Sequence, residues 1–230
     1  MGLKAWMSNR TTRGFRRAAK ALLDEFGLQR RHRAGRRRAA ALTKPGAKVQ
    51  LGSGGNPKPG WINVDLFADG ADIALDLREE LPFPSNMASL VYSEHLFEHL
   101  EYPHDAKRFI AEVYRVLQPG GTFCIVVPDA SKALAAYANP NDPFFKENRR
   151  LRSYLAQENP TLMHHVNYTF RADGQHKYAY DAETLGQVLR DAGFANVAQR
   201  EFDPELDSAR RRGHSLYMKG VKPSADRPIG

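Results

Sequence analysis

Two short patterns in the first half of the chain combine residue types that could bind a ligand and act on it. The first is the glycine-rich turn Gly52-Ser53-Gly54-Gly55-Asn56, with Asp65 following 13 residues after Gly52. Glycines let backbone N–H groups approach a ligand, and an acid after the next strand can accept hydrogen bonds from a ribose. Pro57 and Pro59 leave little room for the helix that would bind a pyrophosphate, so the pattern favours a nucleoside without phosphates.

The second pattern is His95-Leu96-Phe97-Glu98-His99. H-x-x-E-H also occurs in inverted zinc proteases, but no downstream segment resembles the third ligand of that class, so a protease is excluded. On a helix, His95, Glu98 and His99 would share one face. A hydroxyl acceptor gains from a base with a pKa near neutrality, which makes His95 the candidate catalytic residue. A His95 that only lines the pocket or caps the helix fits equally well, and His99 is interpreted as structural.

The elements that must position these residues are strands and helices in alternation. From Lys48 onward, short apolar runs at 48–51, 61–64, 73–75, 90–92 and 122–127 predict five strands, and 106–117 predicts an amphipathic helix. Strand and helix units in alternation produce a parallel sheet covered by helices. The body is therefore predicted to be α/β.

Several segments together resemble a class I S-adenosylmethionine (SAM) dependent methyltransferase of the type 11 group, including small predicted methyltransferases of bacterial glycan and lipid pathways. They are 49–57, 60–65, 76–77, 81–83, 93–100 and 115–121, with later matches at 180–194 and 215–223. The resemblance covers residues 47–222. It implies a Rossmann-like fold with a mostly parallel sheet, a C-terminal antiparallel hairpin and helices on both faces.

The resemblance also implies SAM as the cofactor and the residues that hold it. The glycine turn would hold the methionine end, Asp65 the ribose hydroxyls, and Asp76 and Leu77 the adenine. The full predicted set is Gly52, Ser53, Gly54, Gly55, Asn56, Asp65, Leu66, Asp76, Leu77, Ser93 and Glu94. The family usually has a third glycine where this chain has Asn56. The resemblance therefore constrains least the cofactor contacts of the residues after Gly54.

A second resemblance bears on whether a metal ion binds to His95-Leu96-Phe97-Glu98-His99. Some O-methyltransferases of ubiquinone synthesis and of small RNA ends carry E-x-x-E-H there and bind Mg²⁺. Here His95 occupies the first position, and imidazole is a poor Mg²⁺ ligand. The sequence therefore predicts no metal.

The charge of the chain is concentrated at its N-terminal end. Of the net charge of +8, residues 1–48 contribute +12 and the remainder −4. Residues 13–26 have the spacing of a basic amphipathic helix, and the run 30–38 is predicted to be a linker, so 1–46 would form an arm. Such an arm could bind an anionic membrane surface, bind nucleic acid less favourably, or simply pack on the body.

The acceptor is expected to bind an insert at 131–179, interpreted as a lid. An insert that simply packs over the sheet edge fits equally well. The insert supplies donors and aromatic faces, and the candidates for acceptor binding are His165, Tyr168, His176 and Tyr178. Residues 47–222 would form the methyltransferase domain and 223–230 a tail. The lone Cys124 and the absence of a long apolar run indicate a cytoplasmic protein, peripheral to the membrane through its arm.

The function predicted from the sequence is O-methylation of a small, glycan or lipid-linked acceptor. Two alternatives remain open. One is an RNA methyltransferase that uses the basic arm, although Val127-Pro128-Asp129 lacks the motif of base N-methylases. The other is a catalytically silent binding module with a SAM fold.

Overall fold

The fold is a six-stranded sheet surrounded by helices. The computed structural model describes residues 12–67, 69–139, 141–146 and 161–224. The first eleven residues of the predicted arm, part of the insert and most of the tail lie outside these ranges. Helices and strands follow one another as α1 Arg13–Leu42, β1 Ala47–Leu51, β2 Ile62–Val64, β3 Ala88–Glu94, α2 His104–Val116, β4 Leu117–Pro128, α3 Ala130–Ala138, α4 Leu162–Arg171, α5 Ala182–Asp191, β5 Ala195–Gln199 and β6 Ser215–Val221.

The sheet order is β2-β1-β3-β4-β6-β5. Strands β1 to β4 are parallel, whereas β6 pairs antiparallel with both β4 and β5. The predicted third strand is reduced to one parallel bridge between Ile73 and Val64. The expected Rossmann-like class with a C-terminal antiparallel hairpin is confirmed.

The central strands are buried because their sequences are almost continuously apolar. Phe123, Ile125 and Val127 of β4 are fully buried and pack with Val49 and Leu51 of β1 in the main core. α2 adds an apolar face at Ala106, Phe109, Ile110, Val113 and Val116. Since parallel strands end at the same edge, the loops after β1, β2 and β3 meet there.

The basic N-terminal segment is one continuous helix rather than a helix followed by a linker. α1 begins after Thr12, whose hydroxyl accepts from the Phe15 N–H, and runs for 30 residues to Leu42. The prediction of a linker at 30–38 is wrong, because His32, Gly35 and Ala39 are buried against the body and tertiary contacts hold this stretch helical. No helix in the described part of the chain combines the length and apolarity needed to cross a bilayer.

Candidate functional site

A cleft of about 380 Å³ lies at the carboxyl edge of the parallel strands. Gly52 follows β1, Asp65 follows β2 and His95 follows β3, so three separate loops contribute to one wall. The lining residues are Gly52, Asp65, Leu66, Phe67, Leu75, Asp76, Leu77, Arg78, His95, Leu96, His99, Leu100 and Gln175. The structure thus brings together five of the eleven predicted cofactor residues and the predicted catalytic histidine.

The glycine turn is shaped by left-handed backbone and by Asp65. Gly52 has φ +76°, and a Cβ there would lie 3.0 Å from Leu96 in the cleft wall, so a side chain is excluded by both backbone and space. The Gly54 N–H donates to Asp65 Oδ2 at 2.8 Å, and the Phe67 N–H donates to Asp65 Oδ1 at 2.8 Å. Asp65 therefore links the turn after β1 to the loop after β2.

The donor and acceptor set at this edge fits a nucleoside. The carboxylate of Asp65 lines the cleft and can accept further hydrogen bonds through its remaining lone pairs. The buried hydroxyls of Ser53 and Ser93 have no hydrogen-bond partner among the described residues. A ligand whose ribose hydroxyls reach Asp65 would satisfy this carboxylate, so the residues that line the cleft fit the predicted SAM.

Asp76 is held in place by groups on both sides. Arg78 donates to both of its carboxylate oxygens, and the Asp76 N–H donates to His32 Nδ1 at 3.2 Å. Burial by itself would raise the pKa of Asp76, but the hydrogen bonds and charge of Arg78 outweigh it and hold the pKa below its ordinary value. Asp76 is thus an ionised wall residue, oriented in part by α1.

The remaining predicted cofactor residues do not line the cleft. Ser53, Gly54, Gly55 and Asn56 belong to the turn itself, and Ser93 is fully buried in β3. Glu94 is directed elsewhere: its Oε1 accepts from the Ser208 N–H at 3.0 Å, and Arg211 lies 3.7 Å from its Oε2. Glu94 is the last residue of β3, whereas His95 lies in the loop beyond it and lines the cleft.

The sequence predicts that His95 begins a helix, and this prediction is wrong. His95 has φ +52°, and the only helical segment nearby is a single 3-10 turn, Phe97–His99. Its Nε2 lies 2.7 Å from Ser215 Oγ, and its ring meets that of His214 edge-on at 5.5 Å. A tight turn therefore aims His95 into the cleft, and β6 fixes the orientation of the ring.

Glu98 lies behind His95, surrounded by imidazoles. Its Oε1 is 3.6 Å from His95 Nδ1, 3.8 Å from His99 Nε2 and 3.8 Å from His176 Nε2. The carboxyl is 2% exposed, and burial raises its pKa to about 8. Burial and the neighbouring His176 lower the pKa of His99, which is therefore neutral near pH 7.

The four predicted acceptor residues are separated by the fold. His176 reaches Glu98, whereas Tyr178 stacks on Tyr102 with ring centroids 4.4 Å apart. His165 is buried against Phe145 in a small cluster under α3 and α4, and Tyr168 lies half-buried on α4. None of the four lines the cleft itself.

Sequence reasoning missed three contributors to the site. His32 and Arg31 of α1 reach the loops of the cleft, since Arg31 donates to the Leu66 carbonyl at 3.3 Å. Ser215 at the start of β6 contacts His95. Each contact joins segments far apart in the chain, and the sequence carries no local signal for it.

The comparisons with known proteins agree with this geometry. Residues 66–125 match a family model described as a methyltransferase domain. Two curated relatives are both the ubiquinone/menaquinone biosynthesis C-methyltransferase UbiE of Neisseria gonorrhoeae. Each is 29% identical to this chain in an alignment 147 residues long that covers 59% of this chain and 55% of the relative. The chain thus spans about half the length of the curated relatives that it matches.

Two solved structures show remote similarity to this chain. A SAM-dependent methyltransferase of Thermotoga maritima has 16% identity and a TM-score of 0.46, over 90% of this chain and 98% of its own. A phosphoethanolamine N-methyltransferase of Haemonchus contortus with bound S-adenosylhomocysteine has 16% identity and a TM-score of 0.44, over 79% and 50%.

Proposed function

We propose that this chain, a class I SAM-dependent methyltransferase of the type 11 group, methylates a hydroxyl oxygen of a small, glycan or lipid-linked acceptor. The observation that carries the proposal is the single cleft where the glycine turn and Asp65 meet His95. A cofactor site and a titratable base thus share one wall. Methyl transfer needs that juxtaposition and an in-line approach.

Different residues of the cleft would bind the cofactor and accept the proton of the hydroxyl group. Bound SAM supplies a methyl group on a sulfonium whose sulfur leaves as a neutral thioether, so no general acid is needed. Asp65 and Asp76 would hold the nucleoside. As the acceptor oxygen forms its bond to the methyl carbon, the hydroxyl proton passes to the His95 imidazole. Ser215 Oγ, 2.7 Å from His95 Nε2, holds the imidazole ring in position.

The test of this role is His95→Gln, which keeps a polar side chain but removes the base. We expect kcat to fall about 100-fold, with the dissociation constant of SAM changed less than about threefold, since general bases contribute roughly 10² to 10⁴ in rate. The assay follows labelled methyl transfer from SAM to a panel of sugar, lipid-linked and phenolic hydroxyl acceptors. His104→Gln, an exposed histidine outside the cleft, is the matched control.

Other outcomes of the same assay separate the alternatives. A labelled methyl group bonded to a carbon atom of the acceptor would favour C-methylation, the reaction for which the UbiE relatives are named. Transfer to RNA alone would favour an RNA methyltransferase. Tight SAM binding with no transfer to any acceptor would favour a silent module, and unchanged kcat in His95→Gln would contradict the assignment of the base.

We further propose that the outer half of α1 binds an anionic membrane surface and brings the enzyme to its acceptor. Four large apolar side chains on this part of the helix are more than half exposed. Grouped exposed apolar side chains of this kind mark an interaction surface. The four are Phe15, Leu22, Leu23 and Phe26, and Arg13, Arg16, Arg17 and Lys20 lie between or beside them. A helix of this composition binds anionic lipid through apolar insertion and charge together.

The matching prediction concerns the combined change Leu22→Ser, Leu23→Ser and Phe26→Ser. Binding to vesicles containing phosphatidylglycerol is expected to weaken at least about tenfold, because about three buried apolar side chains are lost from the lipid. Vesicle sedimentation measures it, with phosphatidylcholine vesicles and Leu134→Ser, an exposed leucine of α3, as controls. Unchanged vesicle binding, or salt-steep RNA binding instead, would contradict the proposal. Deleting residues 1–46 is unsuitable, since it also removes His32, Gly35 and Ala39 from the body.

A further inference from the structure

We propose that Glu98, His99 and His176 form a binding site for a divalent transition-metal ion, with His95 as an adjacent fourth group. The sequence favoured no metal because His95 replaces a glutamate. The structure adds His176, which lies 78 positions after Glu98 in the chain. One ligand atom from each of Glu98, His99 and His176 lies within 4.8 Å of the other two.

The environment of the Glu98 carboxyl group favours a bound cation. The side chain is 2% exposed, and neither carboxylate oxygen has a hydrogen-bond partner among the described residues. A desolvated carboxylate without hydrogen bonds is costly, whereas coordination to a metal ion compensates for its burial. Three imidazole nitrogens face it at 3.6–3.8 Å, too far for hydrogen bonds.

These separations are close to those across a metal ion. Two ligands bound to one tetrahedral Zn²⁺ at about 2.1 Å are about 3.4 Å apart. The observed distances of 3.8 Å from Glu98 Oε1 to His99 Nε2 and to His176 Nε2 need to contract by a few tenths of an ångström. The three ligand atoms, which lie within 4.8 Å of one another, would all have to move closer together around an ion.

His176 is oriented as metal ligands usually are. Its Nδ1 lies 2.8 Å from the Thr169 carbonyl, so Nδ1 carries the proton and Nε2, 3.8 Å from Glu98 Oε1, is the nitrogen left for a metal. A backbone carbonyl on the far ring nitrogen is the common arrangement behind metal-bound imidazoles. The segment that carries His176 is itself fixed, because the Lys177 N–H donates to the Glu98 carbonyl at 2.7 Å.

The ligand set indicates the class of ion. One carboxylate with two or three imidazoles suits Zn²⁺, Co²⁺, Fe²⁺ or Mn²⁺ better than Mg²⁺, which prefers oxygen ligands. His95 and His99 both line the cleft, so the ion would lie at the cleft wall.

The experiment titrates full-length protein, stripped with a chelator, with Zn²⁺ against a chromophoric competitor. We expect about one equivalent to bind with micromolar or tighter affinity, and Mg²⁺ to bind at least about 100-fold more weakly. His176→Ala and Glu98→Gln should each weaken Zn²⁺ binding at least about 100-fold, while the control His104→Ala leaves it unchanged. Co²⁺ should give the visible absorption of a site with nitrogen and oxygen ligands in the wild type and in His104→Ala, but not in His176→Ala or Glu98→Gln.

Two readouts keep the test decisive. Circular dichroism and thermal unfolding of the stripped variants establish that they are folded, and Glu98→Gln preserves shape if His176→Ala does not fold. Zn²⁺ affinity equal in wild type and both folded variants would overturn the proposal. SAM binding measured in the same metal-free samples reports separately on the proposed function, so either proposal can fail without the other.

Discussion

Replacing Asp65 with alanine is expected to lower the affinity for SAM and for S-adenosylhomocysteine about 100-fold. The Asp65 carboxylate lines the cleft, and its oxygens also accept from the Gly54 and Phe67 N–H groups. Each hydrogen bond from a ribose hydroxyl to a charged acceptor contributes about 1.5–3 kcal/mol. Loss of two such bonds accounts for the expected change, which calorimetry measures directly.

The control for Asp65→Ala is Asp69→Ala, which removes an exposed acid from the same loop outside the cleft. A ligand lacking the ribose 2′-hydroxyl separates ribose contact from turn shaping. It should bind wild type about tenfold more weakly than S-adenosylhomocysteine does, but the two ligands should bind Asp65→Ala nearly equally. Undiminished SAM affinity in Asp65→Ala would remove the assigned cofactor site.

Gly35→Ala is expected to destabilise the protein by about 2–3 kcal/mol, although alanine is the better helix former. A Cβ at Gly35 would lie 2.0 Å from the Ala74 carbonyl oxygen and 2.8 Å from its carbon, so α1 or the segment 73–76 must move. Overpacking of this kind typically costs about 1–3 kcal/mol. Since Ala74 precedes Leu75 and Asp76 in the cleft wall, SAM affinity should fall as well.

The same helix supplies the matched control for Gly35→Ala. A Cβ at Gly27 meets nothing within 4 Å, so Gly27→Ala should gain up to about 1 kcal/mol from helix propensity alone. Chemical denaturation of the two variants and the wild type measures both effects. Equal stability of Gly27→Ala and Gly35→Ala would show that α1 is not packed on the body at this point.

Much of the fold was accessible from the sequence because its signals are local. Apolar runs and their spacing located β1, β2, β3 and β4 to within a few residues, except that β4 begins at Leu117 rather than at 122. The glycine turn and Asp65 were recognisable because the left-handed backbone of the turn requires glycine and because the acid follows the next strand at a short spacing. The linker at 30–38 was misassigned because burial of His32, Gly35 and Ala39 against a distant segment overrides the weak local pattern.

The sequence by itself located β1, β2, β3, β4 and α2, the glycine turn with its acid, and the basic amphipathic character of the first half of α1. These follow from periodicity, side-chain chemistry and short spacings. Only the tertiary structure decided that His95 lies in a left-handed turn against Ser215, that Glu94 points away from the cleft, and that His176 joins Glu98. The reason is physical: contacts between residues about 80 to 120 positions apart depend on sheet pairing and loop packing, which no local pattern encodes.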